Sequence, residues 1–367
     1  MRHVPYLNLK QQHSSLKQKL LEAVDRVLDD GDFILGKEVS TFEKNIAQYC
    51  STRFAVGVNS GTDAIFLVLK AYGIGNGDEV ITASNSFLAT ASAVIATGAV
   101  PVFVDIRSDL NIDPALIEKK ITKKTKAILP VHLTGNPADM DPILSLAKKY
   151  NLYVLEDAAQ AIGSQYLGRR VGSFGNAGCF SLHPLKTLNA CGDGGVITTS
   201  DDRLYSTLIQ LRNIGLKNRD ESDMWGFNSR LDSIQAAILN VKLSRLDEWT
   251  ESRRKNALLY TERLRRFVEV PTETKGGRSV YHTYVIQTDR RDDLRDHLLK
   301  NGIETKIHYP IPIHLQKTAS SLGYRLGDLP KSEKAATRIL SLPVYQGLIT
   351  EDIDYIIEMI EKFFRHS

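Results

Sequence analysis

Cysteine is scarce in this chain. Only Cys50, Cys179 and Cys191 occur among 367 residues, and no two form a CxxC pair. An odd count without paired spacing signals neither a disulfide framework nor a zinc site, so no metal is expected and a reducing cytoplasm fits. Charge of one sign is also lacking. The 47 Lys and Arg residues against 43 Asp and Glu leave a formal net charge of +4, with no dense basic block. That balance argues against nucleic acid as a partner and leaves any functional basic side chains few and local. Long apolar runs are missing as well. The start, MRHVPYLNLKQQ, has no signal-peptide core. The most membrane-like stretch, Phe87 to Val104, is interrupted by serines, threonines, Gly98 and Pro101. A buried helix followed by a buried strand is expected there in place of a membrane span.

What is present points to an α/β protein. A length of 367 residues exceeds one ordinary core and suits a large domain followed by a smaller one. The spacing predicts helices over 14–30 and 37–50, punctuated by Gly31 and Gly36. Short apolar strands then alternate with helices: strand 54–58, helix 64–72, strand 79–83, helix 89–97, strand 101–105, strand 127–131, helix 142–150 and strand 152–155. Two further strands are expected at 179–182 and 195–198. Such alternation indicates a mainly parallel sheet. A long helical pattern covers about 233–267. After it come a strand-like segment at 281–288, a helix at 292–301, a strand at 305–308 and a C-terminal helix at 350–364, enough for a small α+β domain. The boundary is placed near residue 245, giving 1–245 and 246–367, with the N-terminal segment expected to pack on the small domain.

In open parallel sheets ligands bind at the carboxyl ends of strands. Asn59, Ser60, Gly61, Thr62 and Asp63 stand between a strand and a helix, where free amides and a threonine hydroxyl make a phosphate cradle. A plain N-cap by Ser60 or Thr62 explains the same residues. Asp157 closes the strand YVLE, and Gln160 follows three residues on, able to face the same pocket. A helix cap is again the plain alternative for Asp157. The sharpest signal is CFSLHPLKTLNACGDGGVIT, in which Lys186 falls between a strand and a Gly-rich loop. A lysine partly buried there has a lowered pKa and serves as an amine nucleophile; an exposed loop lysine is the other reading. GIGNGD at 73–78 imitates a dinucleotide loop but follows a helix and precedes a strand, the wrong order for that fold.

Together these blocks resemble the DegT/DnrJ/EryC1/StrS family of pyridoxal-phosphate (PLP) sugar aminotransferases. The resemblance runs from VPYLNL and FILGKEVSTFE (33–43) through NSGTDA (59–64), GDEVIT (77–82) and VFVDI (102–106). It continues in EDAAQAIG (156–163), FSLHPLK (180–186), GDGG (192–195), GFNSRLDSIQAA (226–237) and KIHYPIPIHLQ (306–316). It implies the fold type I (aspartate aminotransferase-like) architecture, with a mainly parallel seven-stranded sheet in the large domain. By the same resemblance, Lys186 carries PLP as a Schiff base, Asp157 binds the pyridine nitrogen and Gln160 the ring oxygen. Thr62 and Ser181, with the amides of Gly61 and Asp63, hold the phosphate, and Phe87 stacks on the ring. Asn228 reaches the phosphate from a partner subunit, so a homodimer is implied. His183, His308 and Tyr309 match positions that face the sugar; a structural histidine and a packed strand end are their plainer readings.

The implied chemistry is consistent with these residue types. Transamination parks electrons in a pyridinium ring. A carboxylate about 4 Å from the ring nitrogen contributes about 4 kcal/mol at an effective dielectric near 20, roughly three pKa units in favour of the protonated ring. The implied reaction moves nitrogen from L-glutamate to a nucleotide-linked keto-sugar in a ping-pong cycle. GDGG and the loop TLNAC are closer to relatives that aminate C3 than to the GEGG of many C4-directed ones, which points to a 3-keto sugar. The alternatives are a 4-keto nucleotide sugar or keto-sugar acid as acceptor, or another PLP enzyme such as a sugar dehydratase, lyase or decarboxylase. The dehydratases of the family carry His in the lysine's slot. A non-enzymatic regulator is the remote alternative, for which loss of Lys186 or an added nucleic-acid module would be expected.

Overall fold

The computed structural model describes residues 2–365. A seven-stranded sheet organises the larger part: β1 (Phe54–Val58), β2 (Glu79–Ala83), β3 (Val100–Val104), β4 (Thr125–Leu129), β5 (Tyr153–Asp157), β6 (Ala177–Ser181) and β7 (Gly195–Thr199). Their spatial order is β1-β7-β6-β5-β4-β2-β3, and β7 alone runs against the others. The strands are short and apolar because both faces are covered, as parallel sheets require. Ala127, Leu129, Leu155 and Ile197 pack with α4 (Gly61–Ala71) and α5 (Leu88–Ala96); Phe180 and Val196 pack with α3 (Lys37–Cys50) and α8 (Ser233–Leu243). The stretch 87–104 is thus a helix followed by a strand, as its interrupted hydrophobicity predicts.

Ahead of α3 lie α1 (Leu9–Ser14) and α2 (Lys17–Asp30), and the larger part also carries α6 (Met140–Tyr150) and α7 (Asp202–Leu211). A second core follows, built from α9 (Leu246–Leu264), the antiparallel pair β8 (Tyr284–Gln287) and β9 (Ile339–Leu342), α10 (Arg291–Lys300) and α12 (Thr350–Arg365). Tyr260, Tyr284, Leu294, Leu340, Ile356 and Ile360 are all buried in it. Val4 joins this core and pairs with Ile303, so the first residues cross to the C-terminal part. Helix α11 (Pro330–Arg338) leads directly into β9.

Three local expectations need correction. The helical run 233–267 is two helices: the chain turns at Ser244 and Arg245, where the Arg245 amide donates to Lys242 O and the Ser244 hydroxyl to Val241 O. Residues 305–308 form no strand and carry only the single bridge Lys306–Ser341. Pro310 and Pro312 follow immediately, and prolines cannot donate to a ladder. The ladder that does form, β8 with β9, uses ILSL at 339–342, a four-residue segment that carried no strand expectation.

Candidate active site

A cavity of about 690 Å³ opens where the carboxyl ends of β1, β2, β5 and β6 meet residues from the C-terminal core. Gly61, Thr62, Phe87, Asp157, Gln160, Ser181, His183, Lys186, His308 and Tyr309 all line it. Ten of the residues singled out in the sequence therefore converge on one space. Asp63 and Asn228 do not line it.

One wall is the start of α4. The Ser60 side chain caps this helix by accepting from the Asp63 amide at 3.0 Å, so the capping reading holds for Ser60. That bond commits the Asp63 amide, and the Asp63 carboxylate accepts from Ser229 Oγ at 2.6 Å. The expectation that the Asp63 amide meets a phosphate is corrected on this ground. The amides of Gly61 and Thr62 stay unpaired among the described residues and point out of the helix start, where an anion is favoured. The fit is close: a Cβ on Gly61 would lie 2.8 Å from Ser181 Cβ.

Asp157 ends β5 and is buried. Its Oδ2 accepts from Thr90 Oγ1 at 2.7 Å and its Oδ1 from the Ala159 amide at 3.2 Å. Because Thr90 spends its proton on the carboxylate, Ser86 Oγ must donate to Thr90 Oγ1 across their 2.7 Å contact. Burial raises the Asp157 pKa, while Thr90, the Ala159 amide, Lys186 and His132 oppose the rise. A cation brought into the cavity would therefore be drawn to this carboxylate.

Lys186 hangs in the loop between β6 and β7. Its amide donates to His183 O, and its carbonyl accepts from Asn189 Nδ2 at 2.9 Å. No carboxylate among the described residues lies within ion-pair distance of its amine. Burial lowers its ammonium to about 8, with Asp157 pulling the other way. A substantial fraction is thus a neutral amine near pH 8, as the nucleophile reading requires.

The opposite wall comes from the C-terminal core. Gln160 accepts from the Thr134 amide and donates through Nε2 to the Tyr309 hydroxyl at 3.0 Å. Tyr309 and Phe87 rings stand 5.5 Å apart at 39°. His308 Nδ1 meets Ser341 Oγ at 2.9 Å, and burial with Lys186 and Lys306 nearby brings its imidazole down to about 4. His183 faces the cavity from an exposed turn, its Nδ1 accepting from the Leu185 amide. Behind Asp157, His132 Nδ1 accepts from the Ala138 amide, so its Nε2 proton points to Glu156 at 3.1 Å. Glu156 also receives the amides of Gly172, Phe174 and Gly175, which locks the end of β5.

Several lining residues escaped the sequence reading. Thr90 had a usable signal, lying one helical turn from Phe87 in FLAT. Tyr6, Arg253 and His282 had none, since the chain brings them in from distant segments.

Residues 14–361 match the model of the DegT/DnrJ/EryC1/StrS aminotransferase family. The chain is 46% identical over 369 residues to a pleiotropic regulatory protein of Geobacillus stearothermophilus, covering 99% of both chains. It is 44% identical over 344 residues to the dTDP-3-amino-3,4,6-trideoxy-alpha-D-glucose transaminase of Streptomyces venezuelae, covering 93% of this chain and 91% of the relative. Among solved structures, S. venezuelae DesV superposes with a TM-score of 0.97 at 42% identity over 99% of both chains.

Proposed function

The chain belongs to the DegT/DnrJ/EryC1/StrS aminotransferase family and is a PLP-dependent sugar aminotransferase; from that premise we propose that Lys186 anchors the cofactor and that L-glutamate is the amino donor. The carrying observation is Lys186 itself, an amine lowered to about 8 in the cavity that Asp157 also lines.

Bound PLP supplies an electron sink for the pair left when a Cα proton departs. The protein's residues do the rest. Unpaired amides of Gly61 and Thr62, with the hydroxyls of Thr62 and Ser181, bind the phosphate. The Asp157 carboxylate, held by Thr90, would keep a proton on the ring nitrogen. Phe87 would cover one face of the bound ring, and Gln160, which is paired with Tyr309, would lie at the ring oxygen. Lys186 Nζ, with no carboxylate within 4.0 Å among the described residues, would take the proton from the donor's Cα and deliver it to the cofactor's C4′ carbon, and would run the same transfer in reverse in the second half of the cycle. His183, His308 and Tyr309 face the sugar. The acceptor proposed is a nucleotide-linked 3-keto sugar: GDGG and TLNAC favour it, and the S. venezuelae relative is named for a 3-amino sugar.

Asn228 lies outside the cavity of its own chain, three residues after Trp225, which is 97% exposed. Phe87 and Leu185 at the cavity mouth are more than half exposed. These features support a homodimer in which Asn228 serves the partner's phosphate site.

The test is spectroscopic. L-Glutamate alone should bleach the cofactor's visible band, and a 3-keto nucleotide sugar should restore it. Restoration only by the 4-keto compound would overturn the acceptor assignment. No bleaching by any amino acid would favour the regulatory role that the G. stearothermophilus relative's name raises.

A further inference from the structure

Arg253 sits on α9 and lines the same cavity, with only 3% of its surface exposed. Its Nε donates to Gln346 Oε1, and its Nη1 to the carbonyls of Tyr281 and His282. All three acceptors are neutral. No carboxylate among the described residues lies within 4.0 Å of it, whereas Arg212 is paired with Glu43 and Arg254 with Glu273. Nη2 makes no hydrogen bond among the described residues. A buried guanidinium without a counter-charge is costly to maintain. Here the cost coincides with an open cavity.

The surroundings sharpen the point. His282 feels the charges of both Lys186 and Arg253, and burial with those cations drives its imidazole well below the usual range. Its Nδ1 is buried without a partner. His308 is likewise held neutral. Arg253 and Lys186 thus both act on His282 from the same cavity; Asp157, Asp193 and Glu304 also line it, but none of their carboxylates lies within 4.0 Å of the guanidinium.

We propose that Arg253 is the carboxylate site for the amino donor, binding its substrate through Nη2 while Lys186 acts on the adjacent Cα. This rests on the aminotransferase reading above. The compact donor fits better than the sugar's diphosphate. An α-amino acid places its carboxylate one carbon from the nitrogen, whereas a nucleotide sugar's diphosphate lies across the sugar ring from the reacting carbonyl. A planar guanidinium also matches a carboxylate in shape and charge.

The test uses cofactor-loaded protein and glutarate, an unreactive dicarboxylate, with affinity read by calorimetry. Arg253→Gln should weaken glutarate binding roughly 30-fold or more, as expected when one partner of a desolvated charge pair is removed. It should raise the apparent KM for L-glutamate similarly, while the half-reaction with keto-sugar changes less than about threefold, a difference too small for a lost charge pair. Unchanged glutarate affinity, or an equal loss in the sugar half-reaction, would overturn the assignment. If Arg253→Gln does not fold, the wild type still decides. Glutaramide, the neutral analogue, must bind at least about tenfold more weakly than glutarate, and equal binding would refute the role. A wild type that binds glutarate yet transaminates no amino acid would instead refute the aminotransferase reading and leave the anion site standing.

Discussion

Lys186 and Asp157 occupy one cavity with opposite needs, and burial acts on each in the neutralising direction. The amine is left near 8, ready to act as a base. The carboxylate is rescued by the Thr90 hydroxyl and the Ala159 amide. Thr90→Val removes one of these bonds. A hydrogen bond to a charged group contributes about 1.5–3 kcal/mol, so the Asp157 pKa should rise further and the acid limb of the kcat/KM profile should move to higher pH. The pH–rate profile of the glutamate half-reaction measures this, and an unmoved acid limb would show that Thr90 does not tune Asp157. Lys186→Ala should lower the rate of the same half-reaction by at least about 10³-fold, within the range for loss of a positioned acid–base group. Stopped-flow absorbance at saturating glutamate checks it.

At the scale of elements, the start of α4 is positioned by close contact. Gly61→Ala would bring a Cβ within 2.8 Å of Ser181 Cβ and 3.0 Å of its Cα, so either the helix or β6 must give way. Cofactor affinity should fall at least about tenfold while the far-ultraviolet dichroism stays native, since the clash is confined to one helix end. Titration of the cofactor-free variant with PLP is the check. The elements differ in how readable they were. Strands β1 and β2 fall on their expected residues because apolar runs bounded by turns leave one option. Helix α7 was not anticipated, although Asp201 caps it by accepting from the amides of Arg203 and Leu204. β9 was not readable, because the short segment ILSL after a helix becomes a strand only by pairing with β8, more than fifty residues earlier. The cradle residues were legible as a motif. Arg253 and His282 were not, because nothing local marks a side chain whose meaning comes from a distant wall.

At the scale of the whole molecule, a charged lysine buried in the cavity must affect stability. The Lys186 ammonium is about 8 in the folded protein and about 10.4 in an unfolded chain. Its burial cost is complete below pH 8 and is relieved as pH rises from about 8 towards 10.4, because the unfolded state binds more protons there. In cofactor-free protein, Lys186→Met should therefore melt above the wild type at pH 7, and the gap should narrow by pH 10. Melting curves at the two pH values test it; a gap independent of pH would mean the amine is not desolvated. Assembly is tested by complementation. If Asn228 serves the partner's site, mixing refolded Lys186→Ala and Asn228→Ala chains should restore about a quarter of wild-type activity, since half the dimers are hybrids and each has one intact site. No recovery would place Asn228 in its own chain's chemistry, and an Asn228→Ala protein that is active by itself would remove it from the site.

The account depends most on a covalent link at one position. Reduction of the cofactor-loaded wild type with borohydride, followed by peptide mass analysis, should find the pyridoxyl group on Lys186. The Lys186→Ala protein treated the same way should carry none. A pyridoxyl group on any other lysine of the wild type, or on no lysine, would contradict it.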